Sequence, residues 1–97
     1  MQFVVTAWDF TDPEALGRRM AMRDAHLERA KAAYAEGTII SAAAMLNEEG
    51  NMMGSSLIVN FDSREELDKW LEGEPYITGK VWDKLKIYPV KLAPLAG

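Results

Sequence analysis

The stretch Arg23-Asp24-Ala25-His26-Leu27 holds the only histidine of the chain, with an arginine one helical turn away. Histidine is the side chain whose ordinary pKa lies nearest neutrality, so a positioned imidazole can take a proton and return it under mild conditions. The bland alternative is a half-buried ring at a helix boundary, held by a backbone hydrogen bond. Arg23 weighs against that alternative. A guanidinium cannot shed its charge and is costly to bury alone, so it calls for a carboxylate or an anionic ligand nearby. A plain internal salt bridge, or one across a subunit interface, would answer the same need.

These residues fall on the longest helix the sequence predicts. Each helical residue turns by about 100°, which places Leu16, Met20, Arg23, Leu27, Ala30 and Tyr34 within roughly 40° of one line. This stripe is expected to face the core. His26 lies about 80° from its centre, with Arg19, Met22 and Ala33, where its ring can look into a cleft at the helix edge.

The bulk properties exclude several classes. With 97 residues, 48% hydrophobic and 27% charged, the chain reads as a single globular domain over residues 1–97. A domain this small buries a modest share of its surface, so a partner subunit would help complete its core. The absence of cysteine excludes disulfides, zinc-thiolate sites and a cysteine nucleophile, and one histidine cannot build a histidine-rich metal centre within one chain. Neither a metal nor an organic cofactor is expected. A formal net charge of -4, with basic residues interspersed among acids, argues against nucleic acid as the main ligand. No apolar run is long enough to suggest a membrane span, and Met1-Gln2-Phe3-Val4-Val5 lacks the basic start of a signal peptide. The cytoplasm is the expected compartment.

In chain order, Phe3–Trp8 reads as a central strand because both faces are apolar. Asp12-Pro13-Glu14 starts the long helix, with Asp12 as N-cap, or with Thr11 and Glu14 forming a capping box. Gly37 ends it as a left-handed C-cap. Thr38–Met45 is a strand with three alanines, which signal either close packing under a helix or a floor kept shallow for a small molecule. Asn47–Asn51 turns the chain into a second strand, Ser55–Phe61, with Leu57, Val59 and Phe61 on one face. Ser63 and Glu66 form a capping box for a second helix, whose apolar face is Leu67, Trp70 and Leu71 and which Gly73-Glu74-Pro75-Tyr76 breaks. Trp82–Leu92 is the last strand, and Pro89 marks it as an edge or an end.

The order β-α-β-β-α-β predicts an α+β, ferredoxin-like fold, an antiparallel four-stranded sheet with two helices on one face. The other face needs cover, most economically from a second copy of the same sheet. A homodimer is therefore expected, and Val5 and Val59 are expected on the face it buries.

Arg23-Asp24-Ala25-His26-Leu27, then Gly54-Ser55 opening a strand, then Glu74-Pro75-Tyr76-Ile77 before a closing strand ending at Pro89, together resemble the YciI-like (YCII-related) proteins. These are small bacterial relatives of the dimeric α+β barrels, and the resemblance spans nearly the whole chain. It implies a dimer with face-to-face sheets and a pocket in which a histidine and an aspartate act together. The histidine falls on His26 and the aspartate on Glu74, one methylene longer. A second departure is Ala43-Ala44, where the family tends to have Gly-Pro. One class of relatives removes chloride from a chlorinated hydroxyquinone, and muconolactone isomerases and small monooxygenases share the broader fold. The implied chemistry is proton transfer on small molecules, often derived from aromatic rings.

Residue chemistry agrees with this implication. A carboxylate beside an imidazole sets its tautomer and favours its charged form. Arg23, with Arg19, would bind an anionic group, and Ser55 or Tyr76 would donate to a developing oxyanion. The plainer readings are a water-facing helix-end carboxylate for Glu74, packing for Tyr76 and turn formation for Ser55. Three functions follow: a small lyase, isomerase or dehydrochlorinase using His26 and Glu74, a non-catalytic metabolite-binding or regulatory module, or a cofactor-free oxygenase acting on an electron-rich phenol. Proximity of His26 to Glu74 separates the first two.

Overall fold

The computed structural model describes residues 1–96. Strand β1 (Gln2–Asp9) leads into helix α1 (Ala15–Glu36), followed by β2 (Ile39–Leu46), β3 (Met52–Asn60), α2 (Arg64–Glu72), a single-turn α3 (Pro75–Thr78) and β4 (Trp82–Val90). The four strands form one antiparallel sheet in the order β2-β3-β1-β4. β1 is central as the sequence suggests, and β4, with Pro89, lies at an edge where a missing N–H costs no ladder bond.

Period-two alternation sets the core. Phe3, Val5 and Ala7 of β1 are buried and pair with Val59, Leu57 and Ser55 of β3. Except for Ser55, these residues join Leu67, Leu71, Tyr76, Val81 and Trp82 in the apolar cluster on the side of the sheet that carries the helices. Val5 and Val59 therefore belong to the helix side and not to the open side, correcting the sequence expectation. The open side carries Val4, Thr6 and Trp8 of β1 and Ile58 of β3, all half-buried, so β1 is apolar on both faces but fully covered on one.

Helix α1 ends at Gly37 (φ 83°), whose N–H bonds back to the last turn as expected. Its orientation differs from the hydrophobic pattern. The buried residues are Ala15, Arg19, His26 and Ala33, whereas Leu16, Met20 and Tyr34 are exposed, so the inward face is rotated by about 80° from the apolar stripe. The inward face is lined by small alanines that allow close approach and by two polar side chains that find partners beneath them. Arg23 is exposed, which removes the premise that it is buried in an apolar stripe.

The start of α1 also differs. Glu14 occupies the N-cap without a side-chain cap bond, and Asp12 instead takes a bidentate ion pair from Arg18, at 2.7 and 2.8 Å. The second helix shows the serine half of its predicted capping box, with Ser63 Oγ accepting from the Glu66 N–H at 3.2 Å, and no return bond to the Glu66 carboxylate is present among the described residues. α3 was not expected, because one turn is too short to show a period. Pro75 stands at its first position and Glu74 is its N-cap, accepting from the Tyr76 N–H.

The Arg18 guanidinium, chiefly by hydrogen bonding, holds the Asp12 carboxyl down to about 2 from 3.8. A folded-state pKa below the unfolded one contributes stability that is present above the unfolded value and lost as pH falls through the folded value. Asp12→Asn should therefore flatten the acid limb of the stability curve between about pH 4 and pH 2. Urea denaturation of both proteins over that range checks it, and parallel limbs would refute the pairing.

Candidate active site

The site begins with a glycine. A Cβ on Gly54 would collide with the carbonyl oxygen of Ala7 on β1 and with the Met45 side chain, so only glycine lets β3 close against β1 at this point. Ser55, the next residue, is then turned to the helix side beneath α1. A register shift in β4 brings Trp82 there too. Trp8 pairs with Lys84 and Asp9 with Trp82, so Trp82 faces inward beside Asp9 where strict alternation from Leu85 would turn it outward.

A cavity of about 220 Å³ lies between α1, β2 and β3. It exceeds the ~150 Å³ that suffices for a benzene-sized guest. Its floor is Ala42, Ala43 and Ala44, all exposed, so the alanines leave space beside α1 and do not pack tightly under it. Arg19, Arg23, His26, Ser55 and Tyr76 contribute to its walls.

His26 and Glu74 meet here. His26 Nδ1 is hydrogen-bonded to Glu74 Oε1, although 48 residues separate them. Glu74 is 1% exposed, so its water-facing alternative is set aside. Its carboxylate is held by three donors: His26 on Oε1, the Tyr76 N–H on Oε1 at 3.3 Å, and Arg29 Nη1 on Oε2 at 3.1 Å. A carboxylate only accepts, so Nδ1 carries the proton of the neutral ring and Nε2 keeps a free lone pair. The Nδ1 bond is the only hydrogen bond of the ring among the described residues, and His26 lines the cavity. Tyr76 stacks on the imidazole with centroids 3.9 Å apart and planes 10° from parallel. Its π face would attract the imidazolium formed when Nε2 takes a proton.

The remaining predicted residues occupy different stations. Arg19 is 3% exposed and its charge is answered by Asp9, with Nη1 at 2.9 and 2.8 Å from the two carboxylate oxygens. It is therefore not a free anion receptor, in contrast to the sequence expectation. Its Nη2 donates to Ser55 Oγ at 3.1 Å, and its guanidinium lies over the Tyr76 ring at 4.8 Å. Arg23 makes no ion pair among the described residues and stands at the cavity wall. Burial pushes the Tyr76 phenol above its usual range against the pull of Arg19 and Arg23, so it remains a protonated donor at neutral pH.

Sequence reasoning missed three participants. Asp9 continues the inward positions of Phe3, Val5 and Ala7, and a carboxylate on an inward face calls for a cation, a signal that was available. Arg29 follows His26 by one helical turn on the same side, which was also readable once Glu74 was in view. Trp82 was not, because its inward turn depends on the register shift. Arg29 holds Glu74 by Nη1, donates Nη2 to the Trp70 carbonyl, and lies 4.3 Å over the Trp70 ring.

Arg29→Met keeps packing on Trp70 but leaves Glu74 Oε2 without a donor in a buried setting, at an expected cost of about 1–3 kcal/mol. The double variant with Glu74→Gln should be less destabilised than the sum of the two single variants, because each removes the same interaction. Chemical denaturation of the four proteins measures this, and strict additivity would show that Arg29 does not support Glu74.

The chain is similar to several known proteins. The family model described as the YCII-related domain matches residues 1–91. Protein YciI of Escherichia coli O6:H1 is 30% identical over 97 residues, covering 94% of this chain and 97% of that protein. Among solved structures, 5-chloro-2-hydroxyhydroquinone dehydrochlorinase (TftG) from Burkholderia phenoliruptrix AC1100, in complex with 2,5-dihydroxybenzoquinone, superposes with a TM-score of 0.82 at 22% identity, covering 96% of each chain. A conserved protein from Methanosarcina mazei Go1 shares the fold at a TM-score of 0.59 and 16% identity, over 94% of each chain.

Proposed function

This chain belongs to the YCII-related domain family, and from that premise we propose that it is a small cofactor-free enzyme of the lyase, isomerase or dehydrochlorinase type. In this reading His26 is the acid-base group and Glu74 the carboxylate that orients it. One observation carries the proposal: His26 Nδ1 is held by a buried Glu74, while Nε2 makes no hydrogen bond among the described residues and the residue lines the cavity. Proximity was the test that separated an enzyme from a metabolite-binding module, and the geometry favours the enzyme. The dehydrochlorinase activity of TftG and its 2,5-dihydroxybenzoquinone complex support a small oxygenated ring as the substrate class.

The proposed reaction starts with Nε2 taking a proton from a carbon or hydroxyl of the ligand. The electron pair left behind moves into a conjugated oxygen or expels a leaving group on the adjacent carbon. Glu74 and the Tyr76 ring stabilise the imidazolium, and the proton is then returned to the product or to the leaving group. Arg23, unpaired at the wall, attracts an anionic substituent. Tyr76 and Ser55 donate to oxygen, and Arg19 acts by holding Ser55. Such general acid-base catalysis is worth roughly 10²–10⁴-fold.

Glu74→Gln should impair this chemistry more than Glu74→Asp. Three donors converge on the carboxylate, and an amide supplies an N–H₂ that faces one of them donor to donor, whereas aspartate keeps both charge and acceptors. Deuterium uptake from heavy water into hydroxyquinones and small enolisable ketones, followed by NMR, measures the proton transfer. The wild type should accelerate exchange and His26→Asn should lose about 10²–10⁴-fold. A His26→Asn variant as active as wild type, with Glu74→Gln unimpaired, would return the chain to the binding-module reading.

The proposal includes a homodimer in the cytoplasm, formed through the open side of the sheet. Val4, Trp8 and Ile58 there are only half-covered and Tyr88 is exposed, an apolar surface of the kind a second sheet covers. Light scattering at micromolar concentration should give twice the 10.8 kDa chain mass, and Ile58→Lys should lower it. A wild-type mass of one chain would contradict the dimer.

A further inference from the structure

The apolar stripe of α1 has no cover among the described residues. Leu16, Met20 and Tyr34 are 53%, 53% and 66% exposed, and Leu27 and Ala30 are half-buried. With Arg23 they follow one another at intervals of four, three, four, three and four residues, the spacing of a seam between two helices. The sheet is already served by a different face, that of Ala15, Arg19, His26 and Ala33, so the stripe is surplus to the packing of one chain. A dimer through the open side of the sheet leaves it uncovered too, because α1 lies on the opposite side. The last three seam residues border a groove of about 450 Å³ between α1 and the start of β2. β2 is an edge strand with no charged residue, whereas the other edge, β4, is guarded by Lys84, Lys86 and Pro89. An unguarded edge beside an unpartnered helical seam is the kind of surface that a docked helix covers.

We propose that this seam binds the same seam of a second copy, α1 against α1 in antiparallel register, and so joins the face-to-face dimers into four-chain assemblies. The pattern of intervals reads the same in both directions, so an antiparallel partner sets Leu16 against Tyr34, Met20 against Ala30 and Arg23 against Leu27 of the second copy. A long side chain meets a small one at the Met20 layer, as interdigitated packing requires. Charge agrees with this register. Neither Arg23 nor Asp24 makes an ion pair within its own chain among the described residues. The two-fold axis passes at Ala25, which brings each Arg23 to Asp24 of the other copy. A single charged seam residue that needs such a partner fixes the register at a cost in affinity. One helix pair also buries less than the roughly 1,200–2,000 Å² of a standard interface, so the contact is weak and forms at high concentration, leaving Arg23 free for a ligand in the dilute dimer.

Sedimentation velocity from about 10 μM to about 1 mM tests this. The mass of the dilute species should double across that range. Met20→Glu, at an exposed position in mid-helix, should abolish the doubling with the circular dichroism unchanged. A mass that stays constant up to about 1 mM leaves the stripe to a different macromolecule and overturns the proposal, as does a doubling that persists in Met20→Glu. The register is read independently, because the chain has no cysteine. Met20→Cys and Ala30→Cys, mixed under mild oxidation, should link to each other at least about tenfold faster than either links to itself. A faster link between two Met20→Cys chains would mean a parallel pair, and equal rates would mean random collision. Either result overturns the antiparallel seam. The doubling is counted from the dilute species, so a chain that is monomeric when dilute, or one without activity, can still pass this test, and an active dimer can fail it.

Discussion

The Glu74 carboxylate is the constraint on which the rest of the structure depends. A charge buried to 1% exposure persists only when donors replace the water it has lost, and its three donors come from two helices, α1 and α3. His26 and Arg29 come from two successive turns of α1, and the Tyr76 N–H from the first turn of α3. Satisfying that one carboxylate brings the C-terminal end of α2, where Arg29 also grips the Trp70 carbonyl, against the middle of α1. It also settles which face of α1 turns inward. The apolar stripe of Leu16, Met20 and Tyr34 gives way to a face that carries His26, because that face has buried partners waiting for it.

A second buried pair works beside the first. Asp9 neutralises Arg19, which leaves the guanidinium free to act as a scaffold: it holds Ser55 from behind and covers the Tyr76 ring. The two pairs share Tyr76, whose ring is stacked on His26 and whose backbone caps onto Glu74. Buried ion pairs of this kind add little net stability relative to apolar packing, since desolvation offsets much of their attraction. Their use here is geometric. They fix His26, Tyr76 and Ser55, which line one small cavity together with three exposed alanines.

Much of the fold was legible from residues alone. Alternation in β1, the Asn47–Asn51 turn, the Ser63 cap, Gly37 and Pro89 each have local causes, and local causes are written in sequence. The helix face was misread because hydrophobic periodicity counts a buried arginine and histidine as polar, whatever partners lie beneath them. Asp12 was misassigned because Arg18 competed for it with the helix terminus. The His26 and Glu74 pair was reached through family resemblance, since no spacing rule connects residues 48 apart. Trp82 and the Ser55 wiring were out of reach, because a one-residue shift in strand pairing decides which way a side chain points.

The most direct test uses the fact that the chain has a single histidine, so every imidazole signal is His26. Two-bond nitrogen-15 correlation NMR on the neutral ring distinguishes its two tautomers. With Glu74 behind the ring, the expected spectrum has a protonated Nδ1 and an unprotonated, pyridine-type Nε2 available to the cavity. A neutral ring protonated on Nε2 would mean that Glu74 does not orient the imidazole, and would contradict the assignment of Nε2 as the proton-transferring atom.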